Sequence, residues 1–270
     1  MEKNKLLWGG IIIVSLLLLS SLNNVKNPFE FESQIKKVDR IFVQTDLSNI
    51  QVISNHSDLF IKYQGEKTTF GEPKIEISYI HDKAIISVFT NGIGWKKFLP
   101  IKTRRGNLVL NIPPQLLEEL HLETKNGNID IGQTTGINQL SLISNVGTIH
   151  LDNFQGELLN VKSGNGSIYL GEVDGRINIR NKVGSLKSLT LKSIKEENTI
   201  DVSNGNVKVN LPNRMEEVGL NISTKNGTIK YTDSKWPIIK KGAGKELKNE
   251  LHNSDGKLNI SVSVGTIDIN

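Results

Sequence analysis

The chain has 270 residues, 37% of them hydrophobic, which is enough for a sizeable core and excludes global disorder. It contains no cysteine, so a disulfide framework, thiolate metal sites, a cysteine nucleophile and a lipid-modified amino-terminal cysteine are all excluded. The formal net charge of +5 is too small a surplus to identify a partner, while 24 glycines and only 6% aromatics favour many strands and turns over long helices.

Residues Leu6 to Leu22 form an uncharged apolar run preceded by Lys3 and Lys5. At ~1.5 Å per helical residue the run covers ~26 Å of bilayer. Its end, Leu18-Leu19-Ser20-Ser21-Leu22, has no A-x-A-like cleavage signal, so residues 1–26 read as a cytoplasmic tip and transmembrane anchor; a signal sequence is the alternative. The early lysines place the tip in the cytoplasm and the bulk of the chain outside the cell, although Lys26, Lys36 and Lys37 weaken that bias. The expected localisation is the cell membrane, single-pass, with an extracellular carboxy-terminal domain. The absence of disulfides from an exported chain suits a bacterial surface.

Residues 27–118 carry alternating runs at Arg40 to Gln44, Ile50 to Ile53, Leu59 to Gln64, Ile75 to Tyr79, Ala84 to Phe89 and Leu108 to Ile112, each predicted to be a strand. This region reads either as degenerate coils of the array that follows or as a small sandwich. Inside it lies Trp95-Lys-Lys-Phe-Leu-Pro-Ile-Lys-Thr-Arg-Arg105, the strongest candidate binding segment, with Trp95, Lys96, Lys97, Lys102, Arg104 and Arg105 as its chemistry. Basic residues interleaved with aromatics suit anionic glycopolymers or lipid headgroups. The bland reading is a solvated loop whose aromatics cap the core.

Residues 119–270 contain one phrase seven times: a β-type dipeptide, a polar pair, Gly, a small or polar residue, then alternating apolar residues. Its glycines are 127, 147, 166, 184, 205, 227 and 265, separated by 20, 19, 18, 21, 22 and 38 residues, the last gap being about two periods. Each unit holds two short strands joined by an Asn-Gly-like turn, which a hairpin meander would accommodate. Regular spacing favours a β-solenoid, in which Ile129, Ile149, Ile168, Leu186, Val207, Ile229 and Ile267 stack as one internal ladder. The expected fold class is therefore all-β, a β-helix-like solenoid of ~20-residue repeats behind the anchor helix. An insertion at 232–257, lysine-rich and carrying Trp236, interrupts the period and is a second candidate binding segment. The exposed ends of such an array invite edge pairing.

Leu108-Val-Leu-Asn-Ile-Pro-Pro114, followed by Leu120-His-Leu-Glu-Thr-Lys-Asn-Gly-Asn-Ile-Asp-Ile131 and its recurrences, resembles the bacterial putative-adhesin domain family, including LiaG-like membrane-anchored proteins of the cell envelope. The resemblance spans roughly residues 37 to 270. It implies a β-helical envelope ectodomain of unknown function, in some members linked to envelope-stress responses, and it carries no catalytic residues across.

The five histidines, His56, His81, His121, His150 and His252, show no metal-ligand spacing, and neither a nucleophile elbow nor a phosphate-binding glycine loop occurs. The reading is of no catalytic residue, no metal and no cofactor. The chain is read as a non-catalytic binding or scaffolding surface, with the membrane, anionic wall polymers or envelope proteins as partners and no nucleic acid. The alternatives are an accessory of an envelope-stress response and, further off, a β-helical carbohydrate-active enzyme.

Overall fold

The computed structural model describes residues 27–67, 71–90, 105–114, 117–132, 136–212, 218–231, 236–249 and 256–270. The expected anchor, Leu6 to Leu22, lies outside them; among the described residues no helix is long and apolar enough to cross a membrane. The described strands all join one sheet.

The repeats form coils, each named below by its glycine. In the Gly127 coil, strand Leu117–Asn126 turns a corner at Gly127 and continues as Ile129–Ile131. The two strands do not pair with each other. Leu117–Asn126 pairs in parallel with Ile137–Val146 of the Gly147 coil, so that Leu140 lies beside Leu120, while Ile129–Ile131 pairs with the strand that begins at Ile149. The same two ladders continue through the Gly166, Gly184 and Gly205 coils. A hairpin and a coil share the same short-range alternation; what separates them is that a coil's partner lies one period away.

Alternation decides which side chains enter the core. The expected ladder is present and buried, with Ile129, Ile149, Ile168, Leu186, Val207, Ile229 and Ile267 at 3% exposure or less. A second column holds Leu120, Leu140, Leu159, Ile177, Asn198, Leu258 and Leu220, the buried Asn198 accepting the Ile177 N–H at 2.9 Å, and beside it runs a third, Leu122, Leu142, Val161, Ile179, Ile200, Ile260 and Ile222. Each such apolar side chain contributes ~1.5–3 kcal/mol by burial, and none of that is gained until a neighbouring coil covers it.

Near the amino terminus, Arg40–Thr45 and Ser48–Ile53 form a coil directly against the Gly127 coil. Lys83–Phe89 and Gly106–Asn111 form the next one out. The outer edge is then finished with antiparallel strands: Lys74–Ile80 on Lys83–Phe89, Phe60–Lys67 on Gly106–Asn111, and Asn27–Gln34 on Phe60–Lys67. Tyr63, 1% exposed, is the wedge of this end, and Gly65 and Gly106 leave room for its ring: a Cβ on Gly106 would sit 2.1 Å from the phenolic oxygen.

At the other end the order in space departs from the order in sequence. The Gly265 coil, Gly256–Ile269, lies between the Gly205 coil and the Gly227 coil, in parallel register with both. The 38-residue glycine gap is therefore not two coils. It holds the antiparallel hairpin Ile238–Lys241 and Gly244–Lys248, which covers the outer edge of the Gly227 coil, and the return of the chain to the inner side. Three independent features fit this order. The glycine carbonyls stack as 127, 147, 166, 184, 205, 265, 227. The residue before each glycine alternates Asn126, Val146, Asn165, Val183, Asn204, Val264, Asn226 along the stack. Finally, Asp268 falls between Lys208 and Lys230, where chain order would have set two lysines side by side.

A candidate binding ridge

The corner occupied by the glycines is the most regular surface of the molecule. A Cβ on Gly147 would lie 1.9 Å from the carbonyl oxygen of Gly127, one on Gly166 1.8 Å from that of Gly147, and one on Gly205 1.8 Å from that of Gly184. The glycine is thus required because the neighbouring coil's carbonyl occupies the place of a side chain. Positive φ is a second demand at Gly147, Gly184, Gly205 and Gly265 only.

Buried hydroxyls tie the corner from inside: Thr124 Oγ1 donates to the Ser48 carbonyl and Ser144 Oγ to the Gly127 carbonyl, each at 2.9 Å. Outside, side-chain oxygens accept from the backbone of the next coil. Asn49 Oδ1 takes the Asn128 N–H at 3.0 Å, Asn128 Oδ1 the Thr148 N–H at 2.9 Å, and Asn206 Oδ1 the Thr266 N–H at 2.9 Å. Backbone donors at the corner are satisfied across coils, which holds the strip rigid.

Four positions wide, the strip reads Lys125-Asn-Gly-Asn128, Asn145-Val-Gly-Thr148, Gly164-Asn-Gly-Ser167, Lys182-Val-Gly-Ser185, Ser203-Asn-Gly-Asn206, Ser263-Val-Gly-Thr266 and Lys225-Asn-Gly-Thr228. No acidic residue occurs in it. It runs six coil spacings, ~29 Å at ~4.8 Å each. Its lysines, Lys125, Lys182 and Lys225, stand three coils apart, ~14 Å on the same spacing. Val146, Val183 and Val264 are 44–49% exposed and alternate with the asparagines. The flanking rows do carry acids, among them Glu123 and Asp201 on one side and Asp130 and Asp268 on the other.

Of the six residues expected to bind, Trp95, Lys96, Lys97, Lys102 and Arg104 lie outside the described residues. Arg105 is exposed, and its Nη2 donates to Asn126 Oδ1 at 2.6 Å, which sets the end of the basic segment against the start of the strip. In the insertion, Trp236 stacks on Tyr231 with ring centroids 5.9 Å apart, and Lys241 is paired with Glu246 at 2.8 Å. That lysine holds the Glu246 carboxyl below its usual range. Sequence reasoning missed the three strip lysines. Their only trace in the repeat is that the residue two before the glycine is never acidic, and stacking of the coils is what makes them a row.

Other chemistry is sparse. The His150 ring nitrogens lie 2.9 Å from an Asp130 carboxylate oxygen and 3.5 Å from one of Asp152, on an exposed row. No group of three or more His, Asp or Glu side chains is placed to hold a metal ion among the described residues. A cavity of about 490 Å³ is lined by Asp39, Leu117, Glu118, Gly136, Ile137, Asn138, Gln155 and Gly156. Glu118, one of its two carboxylates, is drawn 3.8 Å from Arg40, whose main partner is Asp82.

A family model described as Toastrack DUF4097 matches residues 37–270. Among solved structures, the chain is similar to a putative adhesin from Bacteroides fragilis (14% identity, 91% of this chain and 98% of that one, TM-score 0.46) and to another from Parabacteroides merdae (11%, 90% and 96%, TM-score 0.46). It is also similar to a putative cell adhesion protein from Clostridium sporogenes (15%, 90% and 99%, TM-score 0.39). No curated protein matches the chain.

Proposed function

Because the chain belongs to the Toastrack DUF4097 family, a putative-adhesin domain family of unknown function, we propose that it is a non-catalytic envelope protein whose glycine ridge binds anionic wall polymers. The observation that carries this reading is the acid-free strip, with lysines at regular intervals and the Arg105 end of the basic segment joined to it through Asn126. Spaced cations on a rigid surface favour multivalent contact with a repeating anion; each contact is weak and salt-sensitive, and together they give avidity. In this reading Leu6 to Leu22 anchors the chain in the cell membrane by a single span, and the β-solenoid stands outside. Trp95, Lys96, Lys97, Lys102 and Arg104, the rest of the basic segment, supply further contacts to the same anionic polymer in this reading.

The test is retention of the purified chain on wall sacculi, with and without their anionic polymers, across a salt series. Substituting Lys125, Lys182 and Lys225 by Gln is expected to abolish the salt-sensitive fraction while leaving the melting transition unchanged. Equal retention by parent and variant would overturn the ridge. Loss of an envelope-stress response on deletion, without loss of wall binding, would instead support the signalling-accessory alternative.

A further inference from the structure

The Gly265 coil occupies a slot that two other coils define completely. Gly256–Ile269 is in parallel register with Glu196–Asn204 and Val207–Val209 on one side and with Val218–Tyr231 on the other. Leu258, Ile260, Val262, Ile267 and Ile269 fill the core columns at 1% exposure or less. The slot is selective at its corner: a Cβ at 265 would meet the Gly205 carbonyl at 1.9 Å, and a Cβ at 256 the Ile194 carbonyl at 2.0 Å. It does not close well on itself. Direct pairing of the flanking coils would place Asn204 against Asn226 and Lys208 against Lys230, losing the Lys208–Asp268–Lys230 alternation.

We infer that this slot is a strand-acceptor site whose occupant can also come from a second copy of the chain, so that copies link by reciprocal exchange of Gly256–Ile269. Among the described residues, the strand pairings that seat the coil all belong to the Gly205 and Gly227 coils, and a second copy's segment reproduces each of them. An exchanged pair keeps the pairings of two monomers and differs from them in which copy supplies Gly256–Ile269. That balance of identical contacts is the condition under which swapping costs little.

The absence of cysteine gives a clean test. Asn204 and Val264 are partners on the exposed corner. Full-length chains in detergent carrying only Asn204→Cys are mixed with chains carrying only Val264→Cys, passed together through a brief urea cycle at high concentration, and oxidised. A chain carrying both substitutions is the register control and is expected to close within itself. Exchange predicts that mixed-pair dimers exceed like-pair dimers several-fold, and that an excess of free peptide 256–270 during the cycle suppresses them. If the control closes but mixed-pair dimers never exceed like-pair dimers, the inference is overturned. Failure of the control to close overturns the placement of the slot itself.

Discussion

Changing Gly166 to Ala separates two accounts of the repeated glycine. If the residue serves a left-handed turn, alanine should be tolerated here, because φ at Gly166 lies outside that region. If it serves close approach, the added Cβ falls 1.8 Å from the Gly147 carbonyl oxygen, a backbone atom that no rotamer can move away. Restoring ordinary contact requires the coils to separate locally by about 1.7 Å, given that relaxed carbon–heavy-atom contacts lie near ~3.5 Å. The bonds at risk are Gly166 N–H to the Val183 carbonyl (2.9 Å), Gly147 N–H to the Asn165 carbonyl (3.0 Å) and Ile149 N–H to the Ser167 carbonyl (3.1 Å). Leaving two such groups unsatisfied costs roughly 1–3 kcal/mol each, so a loss of about 2–6 kcal/mol is expected. Gly242→Ala is the counterpart: its φ is +63° and nothing lies within 4 Å of the added atom, so only the backbone term of ~1–2 kcal/mol applies. Urea unfolding gives the ranking, and hydrogen exchange at residues 147 and 166 gives the location. A Gly166→Ala chain within ~1 kcal/mol of the parent, which is the ordinary spread for point substitutions, would refute the close-approach account.

Asp268→Lys should place three lysines on consecutive rungs and destabilise by about 0.5–1 kcal/mol at low salt, shrinking as salt rises, whereas Asp268→Asn should cost less. Tyr63→Ala should cost ~3–5 kcal/mol as a buried aromatic truncation. Burial also raises the Tyr63 phenol above its usual range, so ultraviolet titration of the folded chain should show one of its four tyrosines ionising late. The Arg40 guanidinium, 2.6 Å from Asp82, holds that carboxyl below its ordinary value. A depressed folded value means the contribution is present above the unfolded value of ~3.9 and is lost as pH falls through the folded one. Asp82→Asn should therefore narrow the stability difference from the parent only at the acid end, as read by melting between pH 2 and 6.

The ladders were legible because inward residues recur at one offset from each glycine, and the strands at 40–45, 48–53 and 83–89 were legible from alternation alone. The order of the last coils was not. A 38-residue gap fits two periods as well as one coil plus a capping hairpin, and only contacts distant in sequence distinguish them. The strand Asn27–Gln34 went unread because Phe29 and Phe31 alternate with Glu30 and Glu32 over too short a run. The basic segment drew attention through local charge density, while Lys125, Lys182 and Lys225 are each unremarkable in sequence and become a row only when coils stack.

Placing the Gly265 coil inside the array also decides how the molecule carries load. Asn270 is bonded to the Gly205 coil, its N–H to the Val209 carbonyl at 3.0 Å and its carbonyl to the Leu211 N–H at 2.8 Å, while the strand it follows pairs with the Gly227 coil on its other side, Ile269 beside Tyr231. Tension applied at that residue enters between two coils, and the strand can leave only by sliding against two ladders at once. Peeling breaks bonds one after another, but shearing must break many together. A tether that pulls on residue 270 therefore meets the array in its stiff direction, with the Gly205 and Gly227 coils sharing the load.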